Sequence, residues 1–327
     1  VKLLLELSME CESLARAEAL AAARALGGGA RVIEEDRGVL VMETKADPKG
    51  LASRLGLCHF VDEWLWSGAH ADLEPIAKEI DVEGPIRVRS TKVGNIRVDL
   101  AGTSRKLGKV IGEHRGVDLH EPRSDIRVVY SGRVHLGRTL GTVDRASFEM
   151  RKNRYMPFVY PASLHPKFAR AMVNLTEVRP GGRMLDPFCG TGAILAEASL
   201  VGLRPVGTDF SEKMIEGANL NLKHLGLNAQ TRVCDVGEVA RAVGAVDGIA
   251  TDPPYGRSTS TKGEPISDLY ERAFTAFSEI LRRGAKVTVA VPDTKLIERT
   301  DTFRLKEKHA LWVHRSLTRN FCVLEKI

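Results

Sequence analysis

The chain has 327 residues, 43% hydrophobic and 28% charged, a length and composition that support two globular domains, or three small ones, each with its own core. No apolar run reaches the ~18 residues of a membrane span, and Val1-Lys2-Leu3-Leu4-Leu5-Glu6 alternates into charge too soon for a signal peptide. Five scattered cysteines without a CxxC pair argue for a reducing, cytoplasmic setting, with no disulfide framework and no metal. Net charge is +6, but Arg87 to Arg138 alone carries twelve Lys/Arg against five Asp/Glu. The remainder is slightly acidic, so an acidic partner is expected at that one stretch.

Residues 1–65 read as a small α+β unit. A strand over Leu3–Ser8 precedes a helix from Ser13 to Leu26 that stops at Gly27-Gly28-Gly29. Val32-Ile33 and Gly38–Met42 form a hairpin around Asp36-Arg37, and Pro48 opens a short helix. Residues 66–143 read as a second α/β unit. It has helices over Leu73–Ile80 and Ser104–Glu113 and a strand at Arg87–Ser90. A further hairpin, Asp125–Tyr130 with Arg133–Gly137, turns at Ser131-Gly132. Residues 144–165 are poor in periodicity and read as a linker. From 166 to 327 strands alternate with helices, as in a Rossmann-like α/β domain with a doubly wound, mainly parallel sheet.

Within that domain, Gly182–Asp186 is an apolar strand ending in a carboxylate, followed by Pro187-Phe188-Cys189-Gly190-Thr191-Gly192 and a helix from Ala193. Strand, glycine turn and helix bind nucleoside cofactors at the ends of parallel strands. The turn matches neither GxGxxG nor GxxxxGK[ST]. A carboxylate before it suits a cofactor bearing an ammonium. Asp209, with Phe210 beside it, ends the next strand 23 residues after Asp186, near the spacing at which an acid reaches ribose hydroxyls. Asp235 ends a third strand and could accept from an adenine amine; as a lone acid it is the weakest of the three.

Asp252-Pro253-Pro254-Tyr255 follows a fourth strand. Prolines contribute no N–H, so a carboxylate, two rigid carbonyls and an aromatic ring make a collection of acceptors suited to an sp2 amine. Holding both amine hydrogens aims the nitrogen at an electrophile, so catalysis is positioning and electrostatics. Tyr255 would stack on a base drawn out of its helix. A proline-rich turn of no function is the plain alternative.

These residues resemble the class I S-adenosylmethionine-dependent methyltransferases that methylate amines, in which Asp-Pro-Pro-Tyr is a specific signature. The resemblance implies S-adenosylmethionine as methyl donor. It puts Asp186, Cys189, Gly190, Thr191 and Gly192 around the methionine part, Asp209 and Phe210 at the ribose, and Asp235 at the adenine. Asp252 to Tyr255 would hold the target base. Cys189 packs and is not a nucleophile; a C5-methylating enzyme would carry Cys where Tyr255 stands.

The basic excess lies on helix and hairpin as Arg105, Lys106, Lys109, Arg123, Arg127, Arg133 and Arg138. Phosphate contacts would explain it, as would a solvated surface. With the preceding small domains and Ser163-Leu164-His165-Pro166 before the catalytic part, the chain resembles the THUMP-containing tRNA methyltransferases. The match is nearest to the archaeal tRNA guanine-10 N2-methyltransferases. The resemblance implies a tRNA partner gripped at its acceptor end, N2-methyl- and N2,N2-dimethylguanine as products and, in some members, a small zinc-containing activator protein. Rival expectations are another tRNA guanine such as position 6, adenine N6, or a non-catalytic tRNA-binding protein; no SGGxDS-type loop supports a thiolation enzyme. His165 reads as a helix cap or a cofactor neighbour, Arg257 and Lys262 as RNA contacts or a plain polar loop. Trp64, Trp66 and Trp312 read as core or interface residues, and Cys58-His59 is too short for a metal site.

Overall fold

The computed structural model describes residues 1–161, 163–256, 263–298, 300–315 and 317–327. Its first half contains β1 (Lys2–Leu7), α1 (Glu12–Ala25), β2 (Arg31–Asp36), β3 (Val39–Glu43), α2 (Pro48–Arg54), β4 (Cys58–Gly68), α3 (Leu73–Glu79), β5 (Ile86–Lys92), α4 (Leu100–Gly112), β6 (Ser124–Tyr130) and β7 (Val134–Thr142). Then follow α5 (Arg145–Met150), α6 (Pro166–Leu175), β8 (Arg183–Asp186), α7 (Ala193–Leu200), β9 (Arg204–Asp209), α8 (Glu212–His224) and β10 (Gln230–Val233). The chain continues through α9 (Val239–Val243), β11 (Val246–Thr251), α10 (Ile266–Ile280), β12 (Leu281–Val291), β13 (Phe303–His314) and β14 (Leu317–Lys326). None of the described helices is long and apolar enough to cross a membrane.

The chain divides into two compact units. One comprises Val1–Glu12, Gly27–Ser53 and Cys58–Val143; the other comprises Ser13–Leu26, Arg54–Leu57 and Asp144–Ile327. The first unit carries one sheet in the order β2-β3-β1-β4-β7-β6-β5. β4 pairs with β1 on one side and β7 on the other, so strands before and after residue 65 share that sheet. The expected hairpins form, with Gly38 at φ 66 in the β2–β3 turn. α4 starts a turn before Ser104, because the Asp99 carboxylate accepts from Gly102 N at 2.8 Å and caps the helix there. The apolar face Leu107, Val110, Ile111 marked only its C-terminal part. β5 and β6 run parallel, with α4 as the crossover.

The second unit is the doubly wound sheet expected from the sequence, in the order β10-β9-β8-β11-β12-β14-β13. β10, β9, β8, β11 and β12 are parallel; β14 and β13 add an antiparallel hairpin. Leu185, Ile249 and Val287 are fully buried because helices cover both faces of a parallel sheet. The chain leaves β8 and β11 on opposite sides, which opens a crevice at their carboxyl ends.

By contacts, α1 groups with this second unit. Its Glu18 is buried and accepts from Gly56 N, Leu57 N and Asn174 Nδ2, each at 2.8 Å, while burial pushes its carboxyl up to about 7. The segment 144–165 also packs here and is partly helical: Asp144 caps α5 by accepting from Ser147 N. Arg151 and Arg170 both pair with Glu197 on α7.

Candidate methyl-transfer site

The glycine turn after β8 is held in shape by backbone bonds. Cys189 N donates to Thr208 O and Gly192 N to Cys189 O. Gly192 sits at φ 83 and caps α7, while a Cβ there would stand 3.3 Å from Ala218 Cβ. Both the left-handed backbone and the close helix favour glycine at this point. Cys189 points into the core beside Leu195 and Ile215, and burial raises its thiol well above the usual range. Its side chain packs, as expected, and only its backbone faces the turn. The Thr191 hydroxyl is bonded to Ser163 Oγ at 2.9 Å, and Asn221 Nδ2 donates to Thr191 O at 3.0 Å. The segment expected to be a linker therefore braces the glycine turn.

Asp186 and Asp209 end β8 and β9 as predicted, whereas β10 stops at Val233 and Asp235 lies two residues beyond it, at the head of a short turn. Asp186 is 1% exposed. Thr251 Oγ1 and Phe188 N both donate to its Oδ1, at 2.8 and 3.3 Å, and Oδ2 accepts from none of the described residues. Burial pushes its carboxyl up to about 7, and the neighbouring Asp252 and Asp209 add to the rise. A buried carboxylate with an unengaged oxygen beside two other acids fits an ammonium. Asp209 accepts from Ser211 N at 2.9 Å and Gly190 N at 3.1 Å, and burial raises its carboxyl as well. Asp235 caps a short turn, accepting from Gly237 N at 3.0 Å, and accepts from Arg272 Nη1 at 2.6 Å. Arg272 also grips Glu264 through two bonds of 2.8 Å. Phe188, Phe210, Cys234, Val236 and Pro254 wall the cleft beside Asp235, an apolar slot suited to a flat ring with one polar edge.

Asp252 follows β11 directly. Tyr255 Oη donates to Asp252 Oδ1 at 2.5 Å, Arg319 Nε donates to Tyr255 Oη at 2.8 Å, and Arg319 Nη2 lies 3.7 Å from Asp252 Oδ2. Burial raises the Asp252 carboxyl, with Arg319 and Tyr255 opposing the rise. The Pro254 carbonyl also accepts from Tyr270 Oη at 3.4 Å, and the Tyr255 hydroxyl is engaged with the carboxylate three residues before it.

Sequence reading missed Arg319, Thr251, Arg272 and Tyr270. Each comes from another element, far from the motif it touches, and none carries a local signature. His165 is a helix cap, accepting from Lys167 N at 3.3 Å. Trp64 and Trp66 are half-buried against the first unit's cores as expected. Trp312 is corrected: it is 70% exposed on β13, a sheet edge. Arg257 and Lys262 lie outside the described residues.

In the first unit the basic residues fall into three groups. Arg105, Lys106 and Lys109 are exposed on α4, and only Lys106 has an ion pair among the described residues, to Glu74. Arg123, Arg133 and Arg138 are paired with Glu83, Glu34 and Glu63. Arg127 is 1% exposed, paired with Glu6 and Asp62, and stacked on Phe60 at 3.4 Å. It cannot reach a phosphate, so its assignment as an RNA contact is corrected: β6 is buried on both faces at this point. An open groove of about 850 Å3 is lined by His70, Arg97, Lys106, Tyr130 and Arg133; His70 and Arg97 were not singled out from the sequence.

Comparison with known proteins places this geometry. The UPF0020 family model, described as "RMKL-like, methyltransferase domain", matches residues 153–320. The tRNA (guanine(10)-N2)-dimethyltransferase of Methanothermobacter thermautotrophicus is 36% identical over all of both chains. The protein of the same description from Pyrococcus abyssi is 31% identical over 89% of this chain and 91% of its own. The crystal structure of TrmN from Thermus thermophilus aligns over 100% of both chains with TM-score 0.57 and 23% identity. SMU.472, a putative methyltransferase complexed with SAH, aligns over 100% of this chain and 98% of its own with TM-score 0.52 and 16% identity. At those identities the two solved structures speak for the fold, a class I methyltransferase sheet.

Proposed function

Because this chain belongs to the tRNA (guanine(10)-N2)-dimethyltransferase family, we propose that it methylates the exocyclic N2 of guanine 10 in tRNA, first to N2-methyl- and then to N2,N2-dimethylguanine, with Asp252 to Tyr255 as the reaction site. The observation that carries the site is the half-buried Asp252, in contact with Tyr255 and Arg319 and close enough to Asp186 to raise its carboxyl. S-adenosylmethionine supplies an electrophilic methyl group on its sulfonium when bound.

The chain's own residues do the rest. Asp186 takes the cofactor's ammonium on Oδ2. Asp209 has lone pairs left beyond its two backbone bonds for ribose hydroxyls, and the cleft beside Phe188 and Phe210 takes the adenine. The incoming amine displaces the Tyr255 hydroxyl from Asp252 Oδ1. Asp252 and the Pro253 carbonyl then accept its two N–H bonds, which loosens the nitrogen lone pair from the ring and aims it. As the nitrogen turns cationic it sheds a proton to Asp252, whose burial-raised carboxyl favours taking it. One N–H remains after the first transfer and serves the second.

Methylation of a tRNA transcript by the purified chain, with the guanine-10→adenine transcript as control, tests the assignment; equal incorporation into both would refute it. The small zinc-containing activator and a cytoplasmic location belong to the same proposal. Full activity of the chain alone would remove the activator from it.

Two further outcomes follow. Affinity for S-adenosylhomocysteine should fall as pH drops through about 7, approaching about tenfold per pH unit, because Asp186 must lose a proton before it can pair with an ammonium. Calorimetric titration between about pH 6 and 8 checks this; Asp186→Asn should bind weakly, with a flat profile from this group. Replacing Arg105, Lys106 and Lys109 together by alanine should weaken tRNA binding and reduce the slope of log K against log salt by about 2 to 3. An unchanged slope would take α4 out of the RNA footprint.

A further inference from the structure

Arg319 stands at the reaction site with no task in the methyl transfer itself. Its side chain is 15% exposed and enters from β14. Among the described residues its hydrogen bonding uses Nε alone, to Tyr255. Nη2 stands 3.7 Å from Asp252 Oδ2, an ion pair too long to be a hydrogen bond. A guanidinium this deep keeps donors that need an acceptor.

Asp252 Oδ1, Asp252 Oδ2 and Arg319 Nη2 follow one another as acceptor, acceptor, donor. Oδ1 is the oxygen that Tyr255 holds until an amine replaces it, and Oδ2 is the one beside Arg319. The Watson–Crick edge of guanine presents the complement in the same order: N2–H, N1–H and O6. Adenine offers its amine, then a bare N1, then a C–H. Placed on the same row, its N1 lone pair would face a carboxylate oxygen and the guanidinium would find no acceptor.

We propose that Arg319 selects guanine, donating to O6 while Asp252 accepts from N1–H and N2–H. The proposal rests on the reading of Asp252 as the amine acceptor and adds the residue that decides which purine is accepted. A site built to bond a polar group discriminates strongly against an analogue that lacks it. No proton or bond is transferred by Arg319; its part is to hold the base by a charge-assisted bond.

The test uses the full chain and two tRNA transcripts carrying guanine or 6-thioguanine at position 10, which differ only in the acceptor at that edge. Sulfur is the poorer acceptor, so the wild type should prefer guanine by about tenfold in kcat/KM. Arg319→Met should lower the guanine value by about tenfold or more and bring the two substrates to within about twofold of each other. If the variant lowers both equally, or keeps the wild-type preference, Arg319 does not read the base and the proposal falls. Thermal unfolding and S-adenosylhomocysteine binding establish that the variant is folded. If it is not, Arg319→Gln gives the same readout, since its shorter amide keeps a donor for Tyr255 and lacks the charged Nη2 proposed to meet O6. Asp252→Ala on the guanine transcript separates the two ideas: undiminished methylation there would sink the acceptor reading itself, whatever the preference of the Arg319 variants.

Discussion

Asp252→Ala should lower the rate of methyl transfer by about two to three orders of magnitude while leaving S-adenosylhomocysteine affinity within about twofold of wild type. The carboxylate supplies acceptors for the amine and the negative charge that faces a nitrogen turning positive, and both vanish in alanine. The loss should appear in kcat, because the interaction strengthens as charge develops rather than on binding. The cofactor side is built from Asp186, Asp209 and the cleft at Asp235, each held by its own bonds to Thr251, Gly190 and Arg272. Single-turnover methylation measured beside calorimetric binding separates the two. A loss below about threefold would mean that the amine is held elsewhere.

Glu197→Gln should cost about 3–5 kcal/mol of stability, the usual penalty for breaking a buried ion pair from one side. Glu197 is 1% exposed and takes two bonds from Arg151, at 2.7 and 3.2 Å, with Arg170 Nη2 at 2.7 Å. Arg170 is itself buried, and burial already works against its charge. The amide leaves two guanidinium groups facing a neutral side chain. Because Arg151 belongs to the segment whose Ser163 braces Thr191, the variant should also loosen the glycine turn. Thermal unfolding should show a midpoint about 10 °C lower, from about 2–4 °C per kcal/mol in a unit of this size. A fall of less than about 2 °C would mean that the three side chains do not act as one buried network.

The local parts of the site were readable in order along the chain. A strand, a glycine turn and a helix are consecutive residues, so Asp186 to Gly192 could be assigned a geometry before any tertiary contact was known. The same holds for Asp252 to Tyr255, where two prolines dictate the backbone. Arg127 shows the opposite case. It alternates with Ile126 and Val128 in β6, which reads as a half-buried strand with the arginine outside, yet all three are at most 1% exposed. Both faces of β6 are covered, and Arg127 is matched by Glu6 and Asp62, residues 121 and 65 positions away in the chain. Counting charges along the sequence cannot tell a phosphate-seeking arginine from one that two acids already hold.

The acceptor motif shows the same division. Sequence alone determined that Asp252, Pro253 and Tyr255 would stand together at a strand end, since peptide geometry keeps neighbours within reach of one another. It also determined the sheet, because apolar strands alternating with helices bury their surface best in that arrangement. Tertiary structure alone decided the state of those residues: Tyr255 closed onto Asp252, Tyr270 on the Pro254 carbonyl, and Arg319 beside the carboxylate. Arg319 lies 64 residues beyond Tyr255 on a different strand. Only the pairing of β14 with β12, which β11 also pairs with, brings it to that strand end. Contacts of this kind depend on which strands become neighbours, a choice made by the packing of the whole sheet and not by the residues in contact.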